Sequence, residues 1–178
     1  FINCIVIIIT NSNTKNSVTN ATINVENGTD KNDAAFYMYG GKVIGFHNYN
    51  EANGTKTYYN GSAIIARAGT TLEIRGGEVV GGTSKNGACI YSNSNNTRIL
   101  GGTLTGGKVS SAGACMYVNA QTVTIGDVIS DGGIYIYASA AKLTLTGAPQ
   151  ISGTCSSGYG ICFGASASAT IDATGLSK

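Results

Sequence analysis

The chain is poor in charged and in chemically reactive side chains. Of its 178 residues only 11% are charged, the net charge is +2, and a single histidine, His47, and no tryptophan are present. So weak a charge gives no basic field of the kind that holds nucleic acid. One histidine provides neither a cysteine–histidine metal motif nor a nucleophile paired with a base and an orienting group. We therefore expect no catalysis, no cofactor, no metal and no nucleic-acid partner.

Long apolar runs are also missing. The continuous apolar stretch within residues 1–10 is too short to cross a bilayer, and no signal peptide can be read from the sequence. We expect no membrane span. The stretch is instead predicted to be a buried, β-branched strand, with a membrane or export remnant as the alternative. Its residues are Ile5, Val6, Ile7, Ile8 and Ile9.

What the chain does have is repetition. A glycine followed by small and apolar residues recurs at intervals of 26, 26, 20 and 27 residues, at Gly61, Gly87, Gly113, Gly133 and Gly160. A second phrase, seen at residues 72–79 and 99–104, interleaves with the first. Both phrases alternate apolar and polar residues with the period of a β-strand, and glycine or asparagine clusters separate them. Such self-similarity predicts an all-β solenoid, a single-stranded parallel β-helix in which each coil pairs with the next.

The repeats favour one domain over residues 1–178, with about six to seven coils. Residues 1–33 are expected to hold an N-terminal strand and an irregular coil. Residues 46–60 interrupt the pattern and are predicted to form a projecting loop, because insertions in solenoids occur at turns. Residues 61–178 are predicted to form regular coils.

Alternation also predicts which side chains point inward. One inward column is expected to be Ile64, Ile90, Met116, Ile136 and Phe163. A second inward column is expected to be Ile74, Ile99, Ile125, Leu145 and Ile171. Residues beside these columns should point outward, which places Glu73 next to Arg98 as an exposed ion pair worth about 0–1 kcal/mol.

The units at residues 86–107 (NGACIYS…TRILGGTLTGG) and 112–127 (AGACMYVNAQTVTIGD) resemble the right-handed β-helix repeats of surface proteins from anaerobic gut bacteria. These proteins share the pectate-lyase-like fold and belong to its non-enzymatic branch. The resemblance implies a right-handed helix and a secreted or surface-attached protein with an adhesive or structural role. The cysteines and the short coil at residues 113–132 depart from the pattern.

Acidic residues give little sign of an active site. The enzymes of the resembled fold, pectin-type lyases and hydrolases, need clustered carboxylates for acid catalysis or Ca²⁺ binding. Within the regular coils only Asp127 and Asp131 lie close together, beside Gly132 and Gly133. We predict that both acids stabilise turns by hydrogen-bonding the backbone.

The five cysteines include two pairs of interest. Cys155 and Cys162 flank a glycine-containing turn and are candidates for a disulfide in an oxidising compartment. Cys89 and Cys115 occupy the same position of successive repeats, so they should lie one above the other. We expect them to be free thiols packed as small apolar side chains.

The outer face offers two surface patterns. Tyr91, Tyr117 and Tyr137 are predicted to form an exposed column, which suits a platform for sugars or a partner protein. Alternatively, tyrosine is simply common in strands and its ladder stabilises the sheet. Threonines at alternate positions, such as Thr122 and Thr124, resemble the arrays of ice-binding solenoids, although charged residues interrupt them.

Two hypotheses for function follow. The first is a non-catalytic extracellular structural or adhesive protein whose subunits stack end to end into a filament. In that case the strand at residues 5–9 pairs with the last coil of another subunit. The second is a glycan-binding or degenerate polysaccharide-lyase-like module. Ice binding is a minor alternative.

Overall fold

A computed structural model describes residues 8–10, 21–26, 34–113, 115–120, 122–138, 141–155, 158–164 and 170–177. Within these residues the protein is all-β, with twenty strands and no helix. No segment in the described ranges therefore forms a helix that could cross a membrane.

The strands follow one another along the chain as short segments separated by turns. They are β1 (Ile8–Thr10), β2 (Ile23–Val25), β3 (Ala35–Met38), β4 (Lys42–Ile44), β5 (Tyr49–Ala52), β6 (Thr55–Tyr58), β7 (Ile64–Ala66), β8 (Thr71–Ile74), β9 (Glu78–Val80), β10 (Thr83–Ser84), β11 (Ile90–Ser92), β12 (Asn96–Thr105), β13 (Lys108–Val109), β14 (Met116–Val118), β15 (Thr122–Ser130), β16 (Ile134–Ile136), β17 (Lys142–Gly147), β18 (Gln150–Ile151), β19 (Ile161–Phe163) and β20 (Thr170–Leu176).

Two parallel sheets contain most of these strands. The larger sheet has ten strands in the order β1-β4-β9-β12-β15-β17-β20, with β3, β8 and β18 attached beside this path. The smaller sheet has six strands in the order β2-β7-β11-β14-β16-β19. In both sheets the spatial order follows the chain order. Each repeat therefore adds strands to both sheets next to those of the preceding repeat, which is the parallel pairing that the sequence predicts.

The core is one apolar cluster built from the inward side chains of both sheets. Ile64, Ile90 and Ile134 enter it from the smaller sheet, and Leu72 and Ile99 enter it from the larger one. All five are completely buried. Burial of Ile90, Met116 and Ile136 is confirmed, since each of these side chains is 0% exposed.

The register of the later repeats differs from the prediction. Met116 pairs with Ile134 and not with Ile136, whereas the predicted pairing of Ile136 with Phe163 is confirmed. The repeat that begins at Gly113 is shorter than those before it, so counting from the glycine misplaces the register by two residues. Because residues i and i+2 of a strand share a face, Ile136 is still buried although Met116 is not its partner.

The end of the second inward column is also wrong. Ile171 pairs with Leu143 and not with Leu145, and the pairing of β17 with β20 shifts register after Thr144. Ile171 is 54% exposed. It lies in β20, the last strand along the path of the larger sheet, so none of the described strands covers it on the far side.

Residues 46–60 contain a β-hairpin where the sequence analysis predicts a loop. Strands β5 and β6 pair antiparallel, and their side chains are largely exposed. Asn53 and Gly54 at the turn have φ values of 51° and 74°, the positive values that a two-residue hairpin turn requires. The Tyr49 and Tyr58 rings lie 5.5 Å apart across the hairpin.

Strand β1 lies at the other end of the larger sheet, where Ile8 and Ile9 pair in parallel with Lys42 and Val43. Ile5, Val6 and Ile7, the remainder of the predicted assembly strand, lie outside the described residues.

Candidate binding surface

A ladder of tyrosine rings runs along the outer face of the smaller sheet. Tyr91, Tyr117 and Tyr135 occupy paired positions of β11, β14 and β16. The ring centroids of Tyr91 and Tyr117 are 5.2 Å apart, those of Tyr117 and Tyr135 are 5.5 Å apart, and both pairs are stacked within 12° of parallel. Tyr137 stacks on Tyr117 less evenly, at 5.7 Å and 27°. We call these four residues the tyrosine ladder.

The ladder differs from the predicted column in two respects. Tyr135, which the sequence analysis omits, is the direct neighbour of Tyr117, because of the short repeat that also shifts the core register. Tyr117 is only 9% exposed, since rings cover it on both sides, whereas Tyr137 at the edge is 52% exposed. The interval from Gly113 to Gly133 is shorter than the other intervals between repeat glycines, and this difference is the signal in the sequence that could have identified Tyr135.

Burial affects the chemistry of the central tyrosine. It raises the pKa of the Tyr117 hydroxyl, and the nearby Tyr91, Tyr137 and Tyr135 raise it further. The Tyr117 hydroxyl therefore stays protonated and neutral at any physiological pH. The centre of the ladder is an aromatic surface without charge.

The ladder stops at Tyr91. On the strand beyond, β7, the residue paired with Tyr91 is Ile65, which is smaller and has no aromatic ring. One face of the Tyr91 ring stacks on Tyr117, and a cavity of about 220 Å³ lies on the side of Ile65. The cavity is lined by Tyr59, Asn60, Ile65, Arg67, Tyr91 and Asn93.

Several polar groups line this cavity. Asn60 and the adjacent Tyr59 enter it from the end of the hairpin, and the Asn60 side-chain oxygen accepts a hydrogen bond from Asn86 at 2.9 Å. The Arg67 Nε donates to the Asn24 side-chain oxygen at 3.2 Å. The Asn93 side-chain oxygen is buried and has no hydrogen-bond partner among the described residues. Such an unpaired buried acceptor costs about 1–3 kcal/mol of stability.

Asp127 lies within strand β15 and Asp131 directly follows that strand, and each accepts a backbone hydrogen bond from a neighbouring repeat. Asp127 accepts from the amide of Ala148 at 2.7 Å, and Asp131 accepts from the amide of Gly106. The prediction that Asp127 is a turn residue is therefore wrong, and both acids hydrogen-bond the backbone of other repeats instead of their own turn.

The cysteines occupy two separate places. Cys155 and Cys162 are joined in a disulfide. Cys89 and Cys115 are free and buried in adjacent repeats, where the Cys89 amide donates to the Cys115 carbonyl oxygen at 2.9 Å. Burial raises the pKa of the Cys89 thiol, so this group is protonated and unreactive. The remaining cysteine, Cys4, lies outside the described residues.

Glu73 is paired with Arg98 as predicted, but the prediction that the pair is exposed is wrong. The Glu73 side chain is 6% exposed and accepts hydrogen bonds from Arg98 at 2.7 Å and from Arg75. Arg98 on the adjacent strand β12 and Arg75, just after the end of β8, cover the Glu73 carboxylate. The alternation of residues predicts the face on which Glu73 lies, but not how its neighbours cover it.

Within the described ranges, no group of three or more histidine, cysteine, aspartate or glutamate side chains could hold a metal ion. No protein-family model, no curated protein and no solved structure matches the chain. Any function of this surface must therefore be argued from its own geometry.

Proposed function

We propose that the chain is a right-handed parallel β-helix that acts outside the cell as a non-catalytic adhesive module, and that it binds a saccharide at the end of the tyrosine ladder. The β-helix is supported by the parallel pairing of successive repeats in two sheets around one core. The binding function depends on one observation: the ladder ends at a cavity beside Tyr91, where Ile65 stands in place of a further ring.

A sugar ring suits this position for physical reasons. The apolar face of a sugar stacks on an aromatic ring, and Tyr91 offers one face while Tyr117 supports the other. Amide groups of Asn60 and Asn93 line the same cavity and can orient sugar hydroxyls. A saccharide bound there continues the ladder along the face of the sheet.

The chemistry of the acids favours binding over cleavage. Asp127 and Asp131 are engaged with the backbone of turns, and neither lines the cavity. We expect that incubating the protein with plant or host polysaccharides releases no product, including unsaturated uronides. Release of such products, lost on replacing Asp127 or Asp131, would contradict the non-catalytic part of the proposal.

A panel of oligosaccharides and the substitution Tyr91→Ala test the binding site. Removing the ring should weaken binding about tenfold, the equivalent of one aromatic contact of roughly 1.4 kcal/mol. The matched control is Tyr39→Ala, since Tyr39 is 70% exposed and lies outside the ladder. The proposal fails if no saccharide of the panel binds, or if both substitutions weaken binding equally.

End-to-end assembly is a second candidate function, favoured by the last strand of the larger sheet. Strand β20 exposes Ile171 and Leu176, which are 54% and 41% exposed. Beside it a cavity of about 550 Å³ is bordered by apolar residues that include Leu145 and Ile161. We propose that the β1 end of a second copy packs on this surface of β20. Because this contact joins two unlike ends of the sheet, it repeats from copy to copy and builds a filament.

Negative-stain microscopy and light scattering test this assembly. The wild-type protein should form filaments, and Ile171→Asp should disperse them. The control is Ile129→Asp, because Ile129 is 52% exposed but lies in β15, within the sheet. Deleting residues 1–10 should also disperse the filaments. A wild-type chain that stays monomeric at high concentration, or filaments that persist after the deletion, would refute the assembly proposal.

A further inference from the structure

Arg67 differs from the other two arginines of the chain in having no acidic partner. Arg75 and Arg98 both bind Glu73. Among the described residues no carboxylate oxygen lies within 4 Å of the Arg67 side chain. The Asn24 side chain that accepts from Arg67 also donates, through its amide nitrogen, to the Glu26 carboxylate at 2.9 Å. Glu26 is therefore linked to Arg67 through Asn24.

The position of Arg67 is well defined. Its backbone amide donates to the Val25 carbonyl oxygen at 2.9 Å, and its Nε donates to the Asn24 side-chain oxygen at 3.2 Å. This bond uses Nε and leaves the two terminal nitrogens of the guanidinium group for another acceptor. Arg67 follows Ile65 by two residues and so lies on the same outer face, which places it beside the open end of the ladder.

Of the described residues that line the cavity, Arg67 is the one with a charge, and none is acidic. The cavity volume, about 220 Å³, lies below the roughly 300–1,000 Å³ of pockets for drug-sized ligands. It therefore suits a single sugar residue.

We infer that the sugar bound in this cavity carries an anionic group, a carboxylate or a sulfate ester, and that Arg67 binds it. The inference rests on the proposed saccharide function. In this arrangement the sugar ring packs against the Tyr91 ring, and the anionic group accepts hydrogen bonds from the terminal nitrogens of Arg67. A planar guanidinium group with two parallel donors matches the oxygens of either anion.

The test compares three oligosaccharides of the same backbone, one neutral, one carboxylated and one sulfated, by isothermal titration calorimetry with the full 178-residue chain. We expect at least one anionic form to bind about tenfold or more tightly than the neutral form. The advantage should shrink as salt is added, since charge pairing is screened. The comparison of the carboxylated with the sulfated ligand shows which of the two anionic groups the cavity binds more tightly.

Three variants assign the effect to Arg67. Arg67→Gln should remove the preference, so that the anionic and the neutral ligand bind this variant about equally. Arg67→Lys should restore part of the preference, because the charge returns without the paired donors. Lys108→Gln removes an exposed charge outside the cavity and should change nothing. Thermal melting of each variant checks that it is folded.

The outcomes separate this inference from the proposed function. If neutral and anionic ligands bind equally and Tyr91→Ala weakens both, the saccharide site stands and the role of Arg67 is wrong. The role of Arg67 is also wrong if the anionic preference survives Arg67→Gln. If neither neutral nor anionic ligands bind, both proposals fail.

Discussion

Glu73 offers the sharpest test of how tertiary packing changes the strength of an ion pair. Its side chain is 6% exposed and binds two arginines, whose side chains are 38% and 49% exposed. A second pair, Lys42 and Glu78, also joins adjacent strands in register, with nitrogen and oxygen 2.8 Å apart. Both members of that second pair are exposed, at 40% and 38%. The two pairs thus differ chiefly in the burial of the carboxylate.

The expected magnitudes follow from this difference. A hydrogen bond to a charged group contributes about 1.5–3 kcal/mol, whereas an exposed ion pair contributes about 0–1 kcal/mol. In Glu73→Gln, Arg75 and Arg98 lose a charged partner but are exposed enough for water to replace part of it. We therefore expect Glu73→Gln to lower the free energy of unfolding by about 2 kcal/mol, and Glu78→Gln by about 0.5 kcal/mol.

Urea unfolding of two double-mutant cycles measures these values. One cycle combines Glu73→Gln with Arg98→Gln, and the other combines Lys42→Gln with Glu78→Gln. The coupling energy should be about 1–2 kcal/mol for the first pair and below about 1 kcal/mol for the second. Added salt should weaken the second coupling more than the first. A first coupling no larger than the second would refute the argument that burial strengthens the Glu73 interactions.

Three further predictions address the core, the ladder and the turns. Ile90→Asp places a charge at a fully buried position and should abolish cooperative thermal unfolding, so a wild-type melting curve would contradict the core assignment. Burial raises the pKa of Tyr117, so the folded state holds that proton more tightly than the unfolded state. The free energy of unfolding should therefore fall as the pH rises above about 10, and fall less steeply in Tyr117→Phe; identical slopes would count against the shift. A Cβ at Gly82 would clash with the Phe46 carbonyl oxygen, whereas no described atom lies within 4 Å of one at Gly40. Gly82→Ala should thus cost about 1–3 kcal/mol in urea unfolding and Gly40→Ala almost nothing, and equal costs would disprove the close approach.

The sequence alone predicts the parallel pairing of the strands wherever the repeats have equal length. Gly61, Gly87 and Gly113 are evenly spaced, so the same phrase falls on adjacent strands, and Ile64, Ile90 and Met116 meet in the predicted register. Alternation adds the face on which each side chain lies, because successive residues of a strand point to opposite sides. These local rules suffice for the core.

They fail where the repeat length changes or where the chain leaves the repeat. The short repeat after Gly113 shifts the partner of Tyr117 from Tyr137 to Tyr135. The hairpin at residues 46–60 depends on the Asn53-Gly54 turn, whose positive φ values local alternation does not reveal.

The repeat pattern thus predicts the strand pairing and the core where successive repeats have equal length, together with the candidate disulfide of Cys155 and Cys162. Tertiary structure alone decided what covers each outward side chain. Glu73 is buried because two arginines fold over it, and the cavity beside Tyr91 exists because the hairpin brings Tyr59 next to it. The physical reason is that the two-residue period of a strand specifies the face on which each side chain lies, whereas the burial of that side chain depends on neighbours that lie far away in the chain.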